Sequence, residues 1–208
     1  MSDPRKRLVK AGYDELGERY VEWSDRIEGD PRAQLLGDLA MRLRQGTRVL
    51  DLGCGTGVPW TRWLADRFEV VGVDISGDQL RLARRNVPGA TFVRSDLAEL
   101  DAPSETVHAV VALYSISHIP REEHARLFTR VASWLEPGGF FVATLGAEGT
   151  PDWTDQWLGV PMFFSSYVAD ANRALLRDAG FELLRDEVVE TREPDGRAAV
   201  LCVLARRS

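Results

Sequence analysis

The chain has 208 residues, 44% of them hydrophobic and 28% charged, which suits one globular domain. Its 32 acidic residues outnumber its 26 lysines and arginines, and the formal net charge of −6 disfavours a nucleic acid as partner. The two cysteines form neither a disulfide framework nor a metal-binding motif, so we expect a cytoplasmic location and no metal. No apolar stretch reaches the roughly 20 residues that cross a bilayer, and the charged segment 1–10 is unlike a signal peptide, so no membrane is expected.

The N-terminal segment, residues 1–45, has the pattern of two helices. The first carries Tyr13, Tyr20 and Trp23, and the second, over 31–44, has leucines at helical spacing along one face. This segment precedes the first strand and lies outside the pattern of the rest of the chain.

From residue 47 onward, short β-branched or aromatic segments alternate with segments of helical periodicity. The predicted strands are 48–52, 68–73, 90–93, 108–113 and 140–145. The predicted helices between them are 60–65, 79–85 and 120–135. This alternation predicts an α/β domain with a mostly parallel sheet and helices on both faces.

The pattern changes again in the last third of the chain. Residues 146–167 are rich in glycine, proline and aromatic residues, and no regular element is predicted there. Residues 181–191 and 197–205 are two strands joined by the turn sequence Glu-Pro-Asp-Gly at 193–196, which predicts an antiparallel hairpin.

A glycine-rich loop follows the first strand. Gly53, Gly55 and Gly57 stand at every second position between this strand and a helix, where glycine lets a ligand approach main-chain amides. The spacing is not the Gly-x-Gly-x-x-Gly of dinucleotide-binding proteins, which argues against NAD. Asp51, at the mouth of the loop, would repel a pyrophosphate and attract a cationic ligand.

Acidic residues also follow the second and third strands. Asp74 is placed to accept hydrogen bonds from both hydroxyls of a ribose, and Asp96 from an exocyclic amine. Each acid alone has an alternative interpretation as a turn or helix-cap residue. Three acids after three successive strands favour a ligand site at the carboxyl edge of the sheet.

Over roughly residues 48–205 the chain resembles the class I S-adenosylmethionine-dependent methyltransferases. The motifs are residues 51–57, Asp74, the pair Asp96 and Leu97, and the Leu-Glu-Pro-Gly-Gly sequence at 135–139. The resemblance implies a Rossmann-like, seven-stranded, mostly parallel sheet that ends in an antiparallel hairpin, with S-adenosyl-L-methionine as cofactor. The cofactor-binding residues that it implies are Asp51, Gly53, Cys54, Gly55, Gly57, Asp74, Ile75, Asp96, Leu97 and Leu113. The Cys54 side chain itself is expected to be structural.

The end of the fourth strand is where this family commonly places residues that face the methyl acceptor. His118, with an ordinary pKa near 6.5, is the candidate catalytic base, and the alternative is a loop histidine that bonds the backbone. Tyr114 and its neighbours lack the Asn-Pro-Pro-Tyr or Asp-Pro-Pro-Tyr sequence of many nucleobase methyltransferases. Together with the acidic charge, this favours a small-molecule acceptor.

The resemblance implies that residues 1–45 and 146–167 form a lid over the carboxyl edge of a single domain. The cofactor-binding core would then be 46–145, and 168–208 would hold the last helix and the hairpin. The candidate acceptor-binding residues are Tyr13, Tyr20, Tyr114, His118, Trp153, Trp157 and Phe163. Alternatively, the lid aromatics form a small core that attaches the lid to the domain.

The sequence thus indicates a cytoplasmic enzyme that moves a methyl group from S-adenosylmethionine to an oxygen or nitrogen of a small molecule by in-line displacement. One alternative is a methyltransferase that acts on RNA or protein. Another is a cofactor-binding protein without catalysis that serves a regulatory role. The acceptor, the need for a base and the oligomeric state are left open.

Overall fold

A computed structural model describes residues 3–208, which form nine strands and seven α-helices. The strands are β1 (Arg48–Leu52), β2 (Glu69–Asp74), β3 (Thr91–Arg94), β4 (Val107–Ala112), β5 (Leu135–Gly146), β6 (Glu148–Trp157), β7 (Val160–Val168), β8 (Phe181–Glu193) and β9 (Gly196–Arg207). The helices are α1 (Pro4–Leu16), α2 (Arg19–Ser24), α3 (Arg32–Ala40), α4 (Trp60–Ala65), α5 (Gly77–Asn86), α6 (His124–Trp134) and α7 (Ala169–Asp178). Within the described residues no helix is both long and apolar enough to span a bilayer.

Seven strands form one sheet in the order β3-β2-β1-β4-β5-β9-β8. Strands β1 to β5 are parallel, and β9 runs antiparallel to both β5 and β8. The predicted fold class and the terminal hairpin are confirmed. From β1 the chain adds β2 and β3 on one side of the sheet, and it then adds β4 and β5 on the other side of β1. The connections after β1 and β4 therefore run in opposite directions. This leaves a crevice at the carboxyl ends of the two strands, where such sheets bind ligands.

The central strands β1, β2 and β4 are mostly buried, as their apolar sequences predict. In β4, Ala109 and Val111 pack with the leucines of α3 and with Leu64 of α4, while Val110 packs on the opposite face with α6 and α7. The two helical layers hold the strand ends in place, and the site is built on those ends.

The N-terminal segment differs in detail from the two predicted helices. The first helix is divided, because Gly17 takes a positive φ of 57° and ends α1 at Leu16 before α2 begins at Arg19. The second helix, α3, ends at Ala40, four residues before the predicted end.

Residues 146–167, for which no element is predicted, contain a two-stranded antiparallel sheet of β6 and β7. Leu158 and Gly159 both take positive φ values in the tight turn between these strands. Helix α1 packs directly on β7: an added Cβ at Gly12 would lie 2.7 Å from Cε of Met162, so glycine permits this close approach. The two segments predicted as a lid therefore contact each other.

Candidate functional site

The loop after β1 depends on glycine where it passes β4. Gly53 has a φ of 81°, and an added Cβ would lie 2.3 Å from Cβ of Ser115. The Gly53 and Cys54 amides donate to the carbonyl oxygen of Val73 at 2.7 and 3.1 Å. The loop is thus fixed between β2 and β4.

Gly57 belongs to the same motif, and its surroundings indicate a packing role. It lines neither cavity described below. With a φ of 79°, an added Cβ would lie 3.0 Å from Cγ2 of Val87 and 3.3 Å from Cα of Ala83. Gly57 therefore permits close packing of the loop against α5, and its assignment as a cofactor contact stays a prediction.

Asp51, in β1, is a buried carboxylate beside the loop. Its Oδ2 accepts a hydrogen bond from Thr61 Oγ1 at 2.7 Å. Burial raises the pKa of Asp51 to about 6, although the Thr61 hydrogen bond opposes the shift and the nearby Asp74 adds to it. Because no cation pairs with it among residues 3–208, this carboxylate is suited to a positively charged group.

Asp74 closes β2 next to Asp51. Its Oδ2 accepts from the Gly55 amide and its Oδ1 from the Ser76 amide, both at 2.9 Å. Burial raises the pKa of Asp74 to about 6, and the two backbone hydrogen bonds limit the rise. The backbone holds the carboxylate in a fixed position at the mouth of the glycine loop.

Asp96 follows β3, and one of its oxygens is incompletely satisfied. Its Oδ1 accepts from the Ala98 amide at 3.0 Å. Its buried Oδ2 forms an ion pair with Lys6 Nζ at 2.9 Å, which leaves a second lone pair of this oxygen without a partner. Lys6 also lies 2.6 Å from Glu123 Oε2. Asp96 Oδ2 can therefore still accept a hydrogen bond from a ligand.

These groups surround a first cavity at the carboxyl edge of the sheet. Its walls include nine of the ten predicted cofactor residues: Asp51, Gly53, Cys54, Gly55, Asp74, Ile75, Asp96, Leu97 and Leu113. Lys6 and Tyr13 of α1 also line it, and the enclosed space is about 100 Å³.

A second cavity of about 400 Å³ lies against the first, on the side of the segments predicted as a lid. The two share four wall residues: Tyr13, Tyr20, Tyr114 and His118. Predicted residues Trp153 and Trp157 line the second cavity, as do Trp23, Phe164, Glu193 and Asp195. Six of the seven predicted acceptor-side residues are therefore brought together.

The motifs in this site are matched by a known family. Residues 49–139, from β1 to the lead-in of β5, match the family model described as "Methyltransferase domain". Over this segment the chain matches the class I S-adenosylmethionine-dependent methyltransferases.

Curated methyltransferases are similar to part of this chain. A trans-aconitate 2-methyltransferase from Methylobacterium nodulans is 37% identical over 117 residues, which are 53% of this chain and 43% of that protein. The chain spans less than half the length of the first curated relatives that it matches.

Solved structures show the same fold over nearly the whole chain. The 1,6-didemethyltoxoflavin-N1-methyltransferase of Burkholderia thailandensis, solved with S-adenosylhomocysteine, has a TM-score of 0.73 at 18% identity and covers 100% of this chain and 92% of that chain. The [4+2]-cyclase SpnF has a TM-score of 0.70 at 21% identity and covers 98% of this chain and 97% of that chain. At such identities the likeness shows the fold alone, and SpnF shows that proteins named for other chemistry share it.

In this chain, His118 is held in one tautomer. Its Nδ1 lies 2.9 Å from the carbonyl oxygen of Phe163, which can only accept, so Nδ1 carries the hydrogen. Its Nε2 therefore has the lone pair and accepts from the Tyr13 hydroxyl at 2.8 Å. Burial lowers the pKa of His118 to about 4 and raises the pKa of Tyr13 well above its usual value, so both are uncharged at neutral pH.

Phe163 is the one predicted acceptor-side residue that lines neither cavity. Side chains alternate along β7, and Phe164 faces the second cavity while Phe163 is fully buried with Val9 and Leu16 of α1. The assignment of its ring to the acceptor stays a prediction, which this burial does not favour. Its carbonyl oxygen fixes His118 instead.

Four charged wall residues were not among the sequence candidates: Lys6, Arg32, Glu193 and Asp195. Glu193 and Asp195 were interpreted only as parts of the hairpin turn. The Trp23 indole donates to Asp195 Oδ1 at 3.2 Å across 172 residues of chain. Nothing local in the sequence indicates this contact, because it depends on where the hairpin reaches the N-terminal helices.

Proposed function

We propose that the protein transfers a methyl group from S-adenosylmethionine, bound in the first cavity, to an oxygen or nitrogen of a small molecule in the second. The observation that carries this proposal is that the two cavities share a wall formed by Tyr13, Tyr20, Tyr114 and His118. A donor and an acceptor on either side of this boundary would be in contact. In-line displacement needs little beyond such positioning and the exclusion of water.

The first cavity supports the cofactor assignment through its carboxylates. Asp74 would accept from the ribose hydroxyls, Asp96 Oδ2 from the adenine amine, and Asp51 would attract the cationic methionine portion. Asp51 and Asp74 lack a compensating cation among the described residues, and S-adenosylmethionine carries positive charge. When bound, the cofactor supplies the activated methyl group.

The role of His118 as a base stays a prediction, and the geometry refines it. Its Nε2 already accepts from Tyr13, so a proton from the acceptor would reach His118 through the Tyr13 hydroxyl. A histidine whose pKa is lowered to about 4 is a weak base at neutral pH. This supports a nitrogen acceptor, which attacks as the neutral amine, over an alcohol that must lose a proton.

The names of similar proteins do not identify the acceptor. The curated relative from Methylobacterium nodulans is named for trans-aconitate, the Burkholderia thailandensis protein for 1,6-didemethyltoxoflavin, and SpnF for a cyclisation. The sequence-based expectations of a cytoplasmic location and of no nucleic-acid partner stay predictions.

The test is to incubate the purified protein with methyl-labelled S-adenosylmethionine and an extract of the source cells, and to locate the label by mass spectrometry. We expect label in small molecules, and its loss in Asp74→Ala but not in Asp101→Ala, which removes an exposed loop carboxylate outside both cavities. Label in RNA or protein would favour a macromolecular acceptor. Absence of label despite tight cofactor binding would favour a binding-only protein.

A further inference from the structure

The second cavity combines aromatic walls with an excess of negative charge. Tyr20, Trp23 and Trp157 form one connected group, with ring centroids 5.3 to 6.0 Å apart. Glu193 and Asp195 border the same space. Among residues 3–208, no lysine or arginine lines this cavity.

The charge of Glu193 is not balanced by its neighbours. Within the part of the chain that the structure describes, no side-chain hydrogen bond or ion pair holds its carboxylate. Arg32 is the cation that acts on it from a distance, but Arg32 pairs with Asp30 at 2.7 Å and stacks over Trp60 and Tyr114. Burial and the nearby Asp195 raise the pKa of Glu193, as expected for a carboxylate without a partner.

A second, independent observation also indicates a ligand here. The Tyr114 hydroxyl oxygen is buried and has no hydrogen-bond partner, although Tyr114 lines both cavities. Buried hydroxyl groups in folded proteins are normally satisfied. Tyr114 also has a positive φ of 56°, which is unfavourable for a tyrosine and fixes where its ring lies.

We infer that the second cavity binds a small molecule through an ammonium group, held between the carboxylates of Glu193 and Asp195 and the rings of Tyr20, Trp23 and Trp157. Cations are attracted to aromatic rings, and a partly desolvated carboxylate also attracts cations. A polycarboxylate would meet two like charges and no compensating cation. The ammonium group anchors the molecule and is not the atom that is methylated, because a protonated amine has no lone pair for the attack. The inference rests on the proposed function, because it names the class of acceptor for that cavity.

The test uses three probes of similar size that differ in charge: 2-phenylethylamine, 2-phenylethanol and 3-phenylpropanoate. Each is titrated by calorimetry into the protein saturated with S-adenosylhomocysteine. We expect the amine to bind about tenfold more tightly than the alcohol, and the carboxylate to bind more weakly than both. The double variant Glu193→Gln, Asp195→Asn should remove the preference for the amine, and its asparagine can still accept from Trp23.

Glu190→Gln is the matched control, since it removes an exposed charge from the same strand outside both cavities. It should leave the preference unchanged. The inference is overturned if the wild-type protein binds the amine no more tightly than the alcohol, or if the double variant keeps the preference. Binding of S-adenosylhomocysteine is measured separately in the wild-type protein and in every variant. If the wild-type protein does not bind S-adenosylhomocysteine, the proposed function itself fails.

Discussion

The two cavities are built in different ways. The first is formed by strand ends and by a glycine loop, and backbone amides fix its main carboxylate, Asp74. The second is formed by residues from many separate parts of the chain, which include α1, α2, the segment after β4, the β6–β7 sheet and the β8–β9 hairpin. The first cavity therefore tolerates little change, whereas the second can vary in its side chains without disturbing the sheet.

The difference agrees with the comparisons. The family match covers residues 49–139, which include the glycine loop and the acids of the first cavity but not α1, α2, β6, β7 or the hairpin. Proteins of this fold are named for quite different chemistry. A common cofactor side with a variable acceptor side explains both facts.

The largest effect is expected from Gly53→Ala. The new Cβ would lie 2.3 Å from Cβ of Ser115 at a φ of 81°, so the loop must shift or β4 must yield. We expect a loss of about 3 kcal/mol in the free energy of unfolding and at least about a hundredfold loss of S-adenosylhomocysteine affinity. Thermal unfolding and calorimetry measure these. Gly89→Ala, with open space around the added Cβ, should behave like the wild type.

The second-largest effect is expected from pH, which should change cofactor binding through the carboxylates of the first cavity. Asp51 and Asp74 have pKa values of about 6, above their ordinary value of 3.8. Their contribution to the stability of the ligand-free protein is therefore present at low pH and is lost as the pH rises through about 6. S-adenosylhomocysteine should bind the ionised carboxylates, so we expect its affinity to fall about tenfold from pH 7.5 to pH 5. Calorimetry at both pH values measures this affinity, and an equal affinity at pH 7.5 and pH 5 would contradict the prediction.

Tyr13→Phe tests the shared wall. It removes the hydroxyl that donates to His118 Nε2 and leaves a buried nitrogen without a partner. We expect about 1–2 kcal/mol lower stability and a clearly reduced kcat, with cofactor affinity changed less than threefold or so. Tyr167→Phe is the control, because Tyr167 lines neither cavity. Equal kcat in both variants would show that the Tyr13 hydroxyl has no role in the reaction.

The smallest effect is expected from Trp153→Ala at the outer rim of the second cavity. This side chain is 39% exposed, with its ring centroid 5.7 Å from that of Phe164. Its loss should raise the KM for the acceptor a few-fold, on the order of 1 kcal/mol, while the melting temperature stays nearly constant. A large drop in stability would mean that Trp153 is structural.

Much of the fold could be predicted because each parallel strand is a short apolar run between clear turn signals. The first cavity followed from local motifs, since Gly53, Asp74 and Asp96 are each placed by the strand that precedes them. Gly57 was the exception, because its spacing suggested a ligand contact while its neighbours in space are Val87 and Ala83 of the α5 region.

The second cavity could be predicted only in part. Its aromatic residues were found by composition, but Phe163 and Phe164 could not be told apart without the strand register. The β6–β7 sheet was missed because its first strand is mostly exposed and lacks a clear alternation. Glu193 and Asp195 face the cavity because the hairpin reaches α2, a contact between distant parts of the chain.

The central claim is that the first cavity binds the cofactor and the second binds the acceptor. Calorimetric titration of S-adenosylhomocysteine into the wild-type protein, Asp74→Ala and Glu193→Gln tests it most directly. We expect at least about a hundredfold weaker binding by Asp74→Ala, because it removes a buried acceptor of hydrogen bonds from the ribose. We expect Glu193→Gln to bind like the wild type. Wild-type affinity in Asp74→Ala, or equal losses in the two variants, would contradict the assignment of the cofactor to the first cavity.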